Sequence, residues 1–201
     1  MVAIIDYGMG NLHSAKKAFE RMGATVEITQ DADVIRRAGH VVLPGVGAFP
    51  DAMQELRLRN LDALVRERVA LGVPFLGICL GMQLMYESSE EGGLYGGLSI
   101  VNGTVGRIDA KGLKVPHMGW NEVHAVRDCP LLHGIDGSDF YFVHSYCATD
   151  PESAGGLTEY GSTFVSVAWD GKNAFGTQFH PEKSGDAGMA LIGNFLARKG
   201  A

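Results

Sequence analysis

The sequence predicts an α/β fold: a mostly parallel central sheet with helices on both faces, extended by antiparallel strands in the C-terminal half. Two observations carry this. Residues 1–90 alternate short apolar runs of strand length with stretches of helical periodicity. Beyond about Leu94 the segments shorten and grow richer in β-formers, and Asp170-Gly171 between two of them is a hairpin turn signal.

Val2–Ile5 is a short apolar strand. Asn11 is placed to cap a helix in which Leu12, Ala15, Phe19 and Met22 share a face, with Gly23 as its C′ residue. Thr25–Thr29 and His40–Leu43 read as the next strands. Asp51–Ala70 reads as one long helix, because Met53, Leu56, Leu61, Leu64 and Val65 fall near one stripe. Pro74–Ile78 is a fourth, buried strand, and Leu80–Tyr86 a helix directly after it. Ser99–Val101, Thr104–Ile108, Glu122–Val126, Phe140–Val143, Phe164–Ala168 and Ala174–Phe179 are strand-like additions to the sheet. Gly188–Arg198 closes the chain as a helix with Met189, Ile192, Phe195 and Leu196 on its apolar side. No repeat, linker or boundary divides residues 1–201, so one domain is expected.

Cys79 is the residue that carries chemistry. It lies in Gly77-Ile78-Cys79-Leu80-Gly81, where a strand turns straight into a helix, the cysteine form of a nucleophile elbow. Small flanking residues are required because backbone passes close to such a turn. A helix N-terminus beside the sulfur favours thiolate. Alone, a cysteine in an apolar run reads as a small buried hydrophobe; the two glycines favour the elbow. A second motif is Gln178-Phe179-His180-Pro181-Glu182. Pro181 ends a strand at His180, and residues two apart on extended backbone share a face. Glu182 can then orient the ring of His180, and the three residues fill the roles of nucleophile, base and orienting acid. A third is Leu43-Pro44-Gly45-Val46-Gly47, whose backbone N–H groups can face a ligand. One such N–H with that of Leu80 would form an oxyanion hole, although alone the motif also reads as an ordinary strand-to-helix loop.

Composition narrows the setting. Hydrophobic residues make up 46% and charged residues 20% of the chain, and net charge is −6 without a basic block. Nucleic acid is not an expected partner. No apolar run reaches membrane-span length, and no signal-like segment precedes Val2. Cys79, Cys129 and Cys147 form no CxxC pair, so the reducing cytoplasm is the expected compartment. Seven scattered histidines lack metal-ligand spacing, so no metal is expected. Gly8-Met9-Gly10 lacks the third glycine of a dinucleotide fingerprint, His13 standing there, so no cofactor is expected. His144 reads as a core histidine or a neighbour of the site, and Glu90-Glu91 as a solvated loop.

Taken together, Pro-Gly-x-Gly, Gly-x-Cys-x-Gly-x-Gln and His-Pro-Glu resemble the triad-type (class I) glutamine amidotransferases, in the family's order. The resemblance implies a flavodoxin-like amidotransferase domain that hydrolyses glutamine through a cysteine thioester. It implies Cys79 as nucleophile, His180 as base and acid, and Glu182 as its orienter. Val46 and Leu80 would supply the oxyanion amides, and Gly47 and Gln83 would hold the substrate. A narrower resemblance runs through Asp6-Tyr7-Gly8-Met9-Gly10-Asn11, Pro116-His117-Met118-Gly119-Trp120-Asn121 and Tyr141-Phe142-Val143-His144-Ser145-Tyr146. These segments are similar to the glutaminase subunits of imidazole glycerol phosphate synthases, which act in histidine biosynthesis. That likeness implies a heterodimer with a (β/α)8-barrel cyclase that receives ammonia through a tunnel. It places Asn11, Met118, Trp120, Tyr141 and Lys183 at the interface or tunnel mouth. Other readings are a γ-glutamyl hydrolase or peptidase on the same scaffold, and a non-catalytic α/β binding module.

Overall fold

In chain order the elements begin β1 (Val2–Ile5), α1 (Leu12–Arg21), β2 (Val26–Thr29), α2 (Ala32–Arg37), β3 (His40–Gly45), α3 (Phe49–Leu58), α4 (Leu61–Ala70), β4 (Phe75–Cys79) and α5 (Leu80–Gln83). There follow β5 (Ser88–Ser89), β6 (Tyr95–Gly96), β7 (Thr104–Arg107), β8 (His117–Ala125), β9 (Ser138–His144) and β10 (Tyr146–Ala148). The last are β11 (Ala154–Tyr160), β12 (Ser162–Trp169), β13 (Ala174–Thr177) and α6 (Gly185–Leu196). This computed structural model describes residues 1–200. Among them no helix is long and apolar enough to cross a membrane.

A nine-stranded sheet runs β2-β1-β3-β4-β13-β12-β11-β8-β9. Its first five strands are parallel and the rest pair antiparallel, as expected. The parallel order is that of a doubly wound sheet, in which ligands bind at the carboxyl ends of the strands. Alternation along each strand feeds two cores. Ala3, Ile5, Val41, Leu43 and Phe75 face Ile35 of α2, Met53 and Leu56 of α3 and Val65 of α4. Val2, Ile4, Val42, Leu76 and Ile78 face Phe19 of α1 and Leu191, Ile192 and Phe195 of α6. β1, β3 and β4 are buried on both faces, which is why they read as unbroken apolar runs.

Several expectations are corrected. Residues 51–70 form two helices, because Asn60 takes the left-handed region (φ 55°) between α3 and α4. Asparagine tolerates that conformation better than most side chains. Ser99–Val101 is not a strand. The amides of Ser99, Ile100 and Val101 donate to the carbonyls of Tyr86 and Met85, just beyond α5. The expected helix over 80–86 stops at Gln83. β7 joins a separate four-stranded sheet, β10-β7-β5-β6, rather than the main one. Asn11 precedes α1 without a side-chain cap bond, and Met22 is turned to solvent. Asp170 and Gly171 do form the β12–β13 hairpin, with Gly171 at φ 80° and Asp170 Oδ1 accepting from the Lys172 and Ala174 amides.

Candidate active site

Cys79 ends β4 with φ 55° and ψ −110°, a strained conformation for a residue with a side chain. The packing around it explains how the strain persists. A Cβ on Gly77 would press on the Gly81 carbonyl, and one on Gly81 would overlap the Leu43 carbonyl oxygen. One on Gly176 of β13 would lie 2.6 Å from Met82 Cγ. α5 therefore rests on bare backbone of β3, β4 and β13, and this close seat tips the thiol to the strand ends. α5 is a single turn, so any helix-dipole support for the sulfur is that of one turn only.

His180 follows β13, and its Nδ1 lies 2.9 Å from Glu182 Oε1, both side chains almost wholly buried. The pair meets across a 3-10 turn, Pro181–Lys183, and not along extended backbone as the spacing had suggested. Ser184 ties this turn to β9. Its hydroxyl donates to the His180 carbonyl at 2.6 Å and accepts from the Tyr141 amide at 3.0 Å. The His180 amide in turn donates to the Tyr141 carbonyl. Among the described residues the buried His180 Nε2 has no hydrogen-bond partner. Burial lowers the His180 pKa, but Cys79 and Glu182 outweigh it and raise it to about 9. That is the sign for a ring that takes a thiol proton.

Cys79 and His180 line one cavity of about 410 Å³, together with Val46, Gly47, Leu80 and Gln83. Every residue singled out around the cysteine thus lines this cavity, apart from Glu182, which stands behind His180. Gly47 has φ 98°, and a Cβ there would strike Met9 Cε. Gln83 donates through Nε2 to the Tyr146 carbonyl (2.9 Å) and to Gln178 Oε1 (3.1 Å). Both its N–H groups are thereby engaged, so what it offers a ligand is the acceptor Oε1.

The sequence profile of the family "Glutamine amidotransferase class-I" matches residues 3–199. The chain is a class I glutamine amidotransferase. It is 52% identical over 197 residues to imidazole glycerol phosphate synthase subunit HisH of Moorella thermoacetica, covering 96% of this chain and 93% of that protein. The subunit HisH of Pseudomonas putida is 50% identical over 209 residues, covering 99% and 98%. Among solved structures, a glutamine amidotransferase superposes with TM-score 0.77 at 19% identity, covering 98% of this chain and 97% of that one. PurLQS from Thermotoga maritima superposes with TM-score 0.74 at 16% identity, covering 97% and 96%.

In this amidotransferase the cavity also holds Glu91, which the motifs had not marked, and His144, which had been read as a core histidine or a neighbour of the site. Glu91 lines it, a correction to its reading as a solvated loop residue, and its Oε2 accepts from the Phe49 amide at 2.9 Å. His144 Nδ1 meets the Tyr146 carbonyl at 2.9 Å, so that nitrogen carries the proton and Nε2 accepts. His117 Nδ1 must then donate to His144 Nε2, also at 2.9 Å. Burial holds both rings neutral, His117 at a pKa of about 4 and His144 at about 3. The signal for this pair was the period-2 pattern: His117 and His144 face inward on β8 and β9, directly opposite each other in register.

The outward side of the same amidotransferase strands carries the expected docking residues. Met118 and Trp120 of β8 are 62% and 57% exposed. Trp120 packs edge-on against Tyr141 of β9, and Lys183 Nζ sits 5.8 Å from the Tyr141 ring centre. Asn11 is exposed at the start of α1, which packs against the 181–183 turn.

Proposed function

We propose that this chain is the glutaminase subunit of an imidazole glycerol phosphate synthase, hydrolysing glutamine to glutamate and ammonia for a barrel cyclase partner. The observation that carries the reading is identity of about half over nearly the whole length with such subunits. The Cys79, His180 and Glu182 cluster in a cavity supports it. Cys79 Sγ, its proton already passed to His180 Nε2, attacks the carboxamide carbon of glutamine as a thiolate. The oxyanion is held by the Val46 and Leu80 amides. His180 returns the proton to the departing nitrogen, which leaves as ammonia, and a glutamyl thioester remains. Water attacks that thioester with His180 as base, releasing glutamate and the thiol. Glu182 keeps the ring oriented and supports its charge. Gly47 leaves room for the substrate, and Gln83 Oε1 with Glu91 accepts from its α-ammonium group. Three free cysteines, one of them the nucleophile, suit a reducing cytoplasm.

The test is Cys79→Ala in the assembled enzyme. Glutamine-dependent synthesis of imidazole glycerol phosphate should vanish while synthesis from added ammonia persists. Glutamine turnover by folded Cys79→Ala protein would overturn the assignment.

A further inference from the structure

Gln178 is fully buried, two residues before His180 at the exit of β13. The orientation of its carboxamide follows from donor and acceptor logic. The Tyr146 carbonyl only accepts, so Gln83 must present Nε2 there. The second hydrogen of that nitrogen meets Gln178 Oε1. Gln178 Nε2 is therefore turned the other way, to Cys79 Sγ at 4.0 Å. Among the described residues Sγ is the only acceptor this nitrogen reaches, and a buried amide donor left without one is costly. Sγ has a second neighbour, the Val143 carbonyl at 3.9 Å. The two suit different states of the sulfur. A thiol donates to Val143, whereas a thiolate, with nothing to donate, accepts from Gln178.

We propose that Gln178 is a further catalytic residue of the glutaminase reaction, donating its carboxamide N–H to the Cys79 sulfur whenever that atom carries negative charge. It acts before attack on glutamine and again as the thioester breaks. The proposal rests on the reading of Cys79 as nucleophile, and the Cys79→Ala experiment tests that reading separately.

Gln178→Glu separates this role from a structural one. A carboxylate still accepts from Gln83 but has no N–H for the sulfur. Gln178→Met removes the donor without adding charge. Two measurements are made on each: the rate at which iodoacetamide alkylates Cys79 in the full chain at neutral pH, and glutamine turnover in complex with the cyclase subunit. Both variants should alkylate roughly tenfold more slowly. Both should lose about ten- to a hundredfold in kcat, the span of one hydrogen bond to a charged atom. Gln178→Glu should keep the glutamine KM. Wild-type alkylation and kcat in either folded variant would overturn the proposal. So would a rise in KM at unchanged kcat in Gln178→Glu, which would place Gln178 in substrate binding through Gln83.

Discussion

Among the described residues Glu182 makes one side-chain hydrogen bond, Oε1 to His180 Nδ1, while its buried Oε2 has none. In the proposed mechanism it therefore acts through the ring. His180→Ala removes proton transfer in both half-reactions, whereas Glu182→Gln keeps an acceptor and loses only the charge. The first should lower kcat in the assembled enzyme by at least about tenfold more than the second. Equal losses in two equally folded variants would mean that the carboxylate itself moves protons. At this scale much of the site was legible in the sequence, because strained turns leave a signature: glycines around Cys79 and a proline after His180. Glu91 and Gln178 left none. A carboxylate in a glycine-rich loop looks solvated until Phe49 is folded against it. A glutamine two residues before His180 has no visible partner until β4 and β13 are paired.

α3 and α4 show why helical periodicity misled. Both apolar stripes face the same core, so the pattern runs through the break without interruption. Only Asn60 marks it, and one asparagine in a helical pattern is a weak stop. Asn60→Gly should leave stability nearly unchanged, and Asn60→Ala should cost about 1 kcal/mol in urea denaturation, since alanine resists the left-handed region. The second sheet was illegible for a different reason. β5 and β6 have two residues each, too few to show a period. α5 gives the opposite case, an element whose position can be read from its glycines. Gly81→Ala would drive a methyl group into the Leu43 carbonyl, part of a central strand that has nowhere to move. That substitution should destabilise the fold by about 1–3 kcal/mol and displace Cys79, seen as a lower urea midpoint together with slower alkylation of Cys79.

Across the whole molecule, three histidines at the sheet's end set opposing pH trends. His180 is raised to about 9, so the native state binds its proton more readily than the unfolded chain. Its contribution is complete below about pH 6.5 and fades as pH rises through 9. His117 and His144 are lowered to about 4 and 3. Their contribution is present above about pH 6.5 and fades as pH falls toward those values. For these three groups alone, stability peaks near pH 6.5. Glu182→Gln should flatten the alkaline decline of the thermal midpoint and leave the acid limb alone. The same region joins the outer surface to the cavity. β8 shows Met118 and Trp120 to solvent and turns His117 and Asn121 inward, and His117 reaches the cavity wall through His144. β9 shows Tyr141 beside Trp120, and the Tyr141 backbone bonds to His180 and Ser184. A partner seated on Trp120, Tyr141 and Lys183 would press on the strands that hold His180 and Tyr146. Pro44 and Gly45 are held in β3 by pairing with Ile78 and Cys79, whereas Val46 and Gly47 lie beyond the strand, with Gly47 at φ 98°, so the Val46–Gly47 segment is the part with backbone freedom to respond. Docking of the proposed cyclase should therefore raise turnover by favouring one arrangement of that segment. The effect should fall mainly on kcat, by about 100- to 1000-fold if one oxyanion donor is gained. Trp120→Ala and Lys183→Ala should reduce this stimulation while alkylation of Cys79 in the free chain stays as in the wild type. Equal kcat with and without the cyclase at saturating glutamine would show that the site is complete on its own and that the outer face does no more than hold the partner.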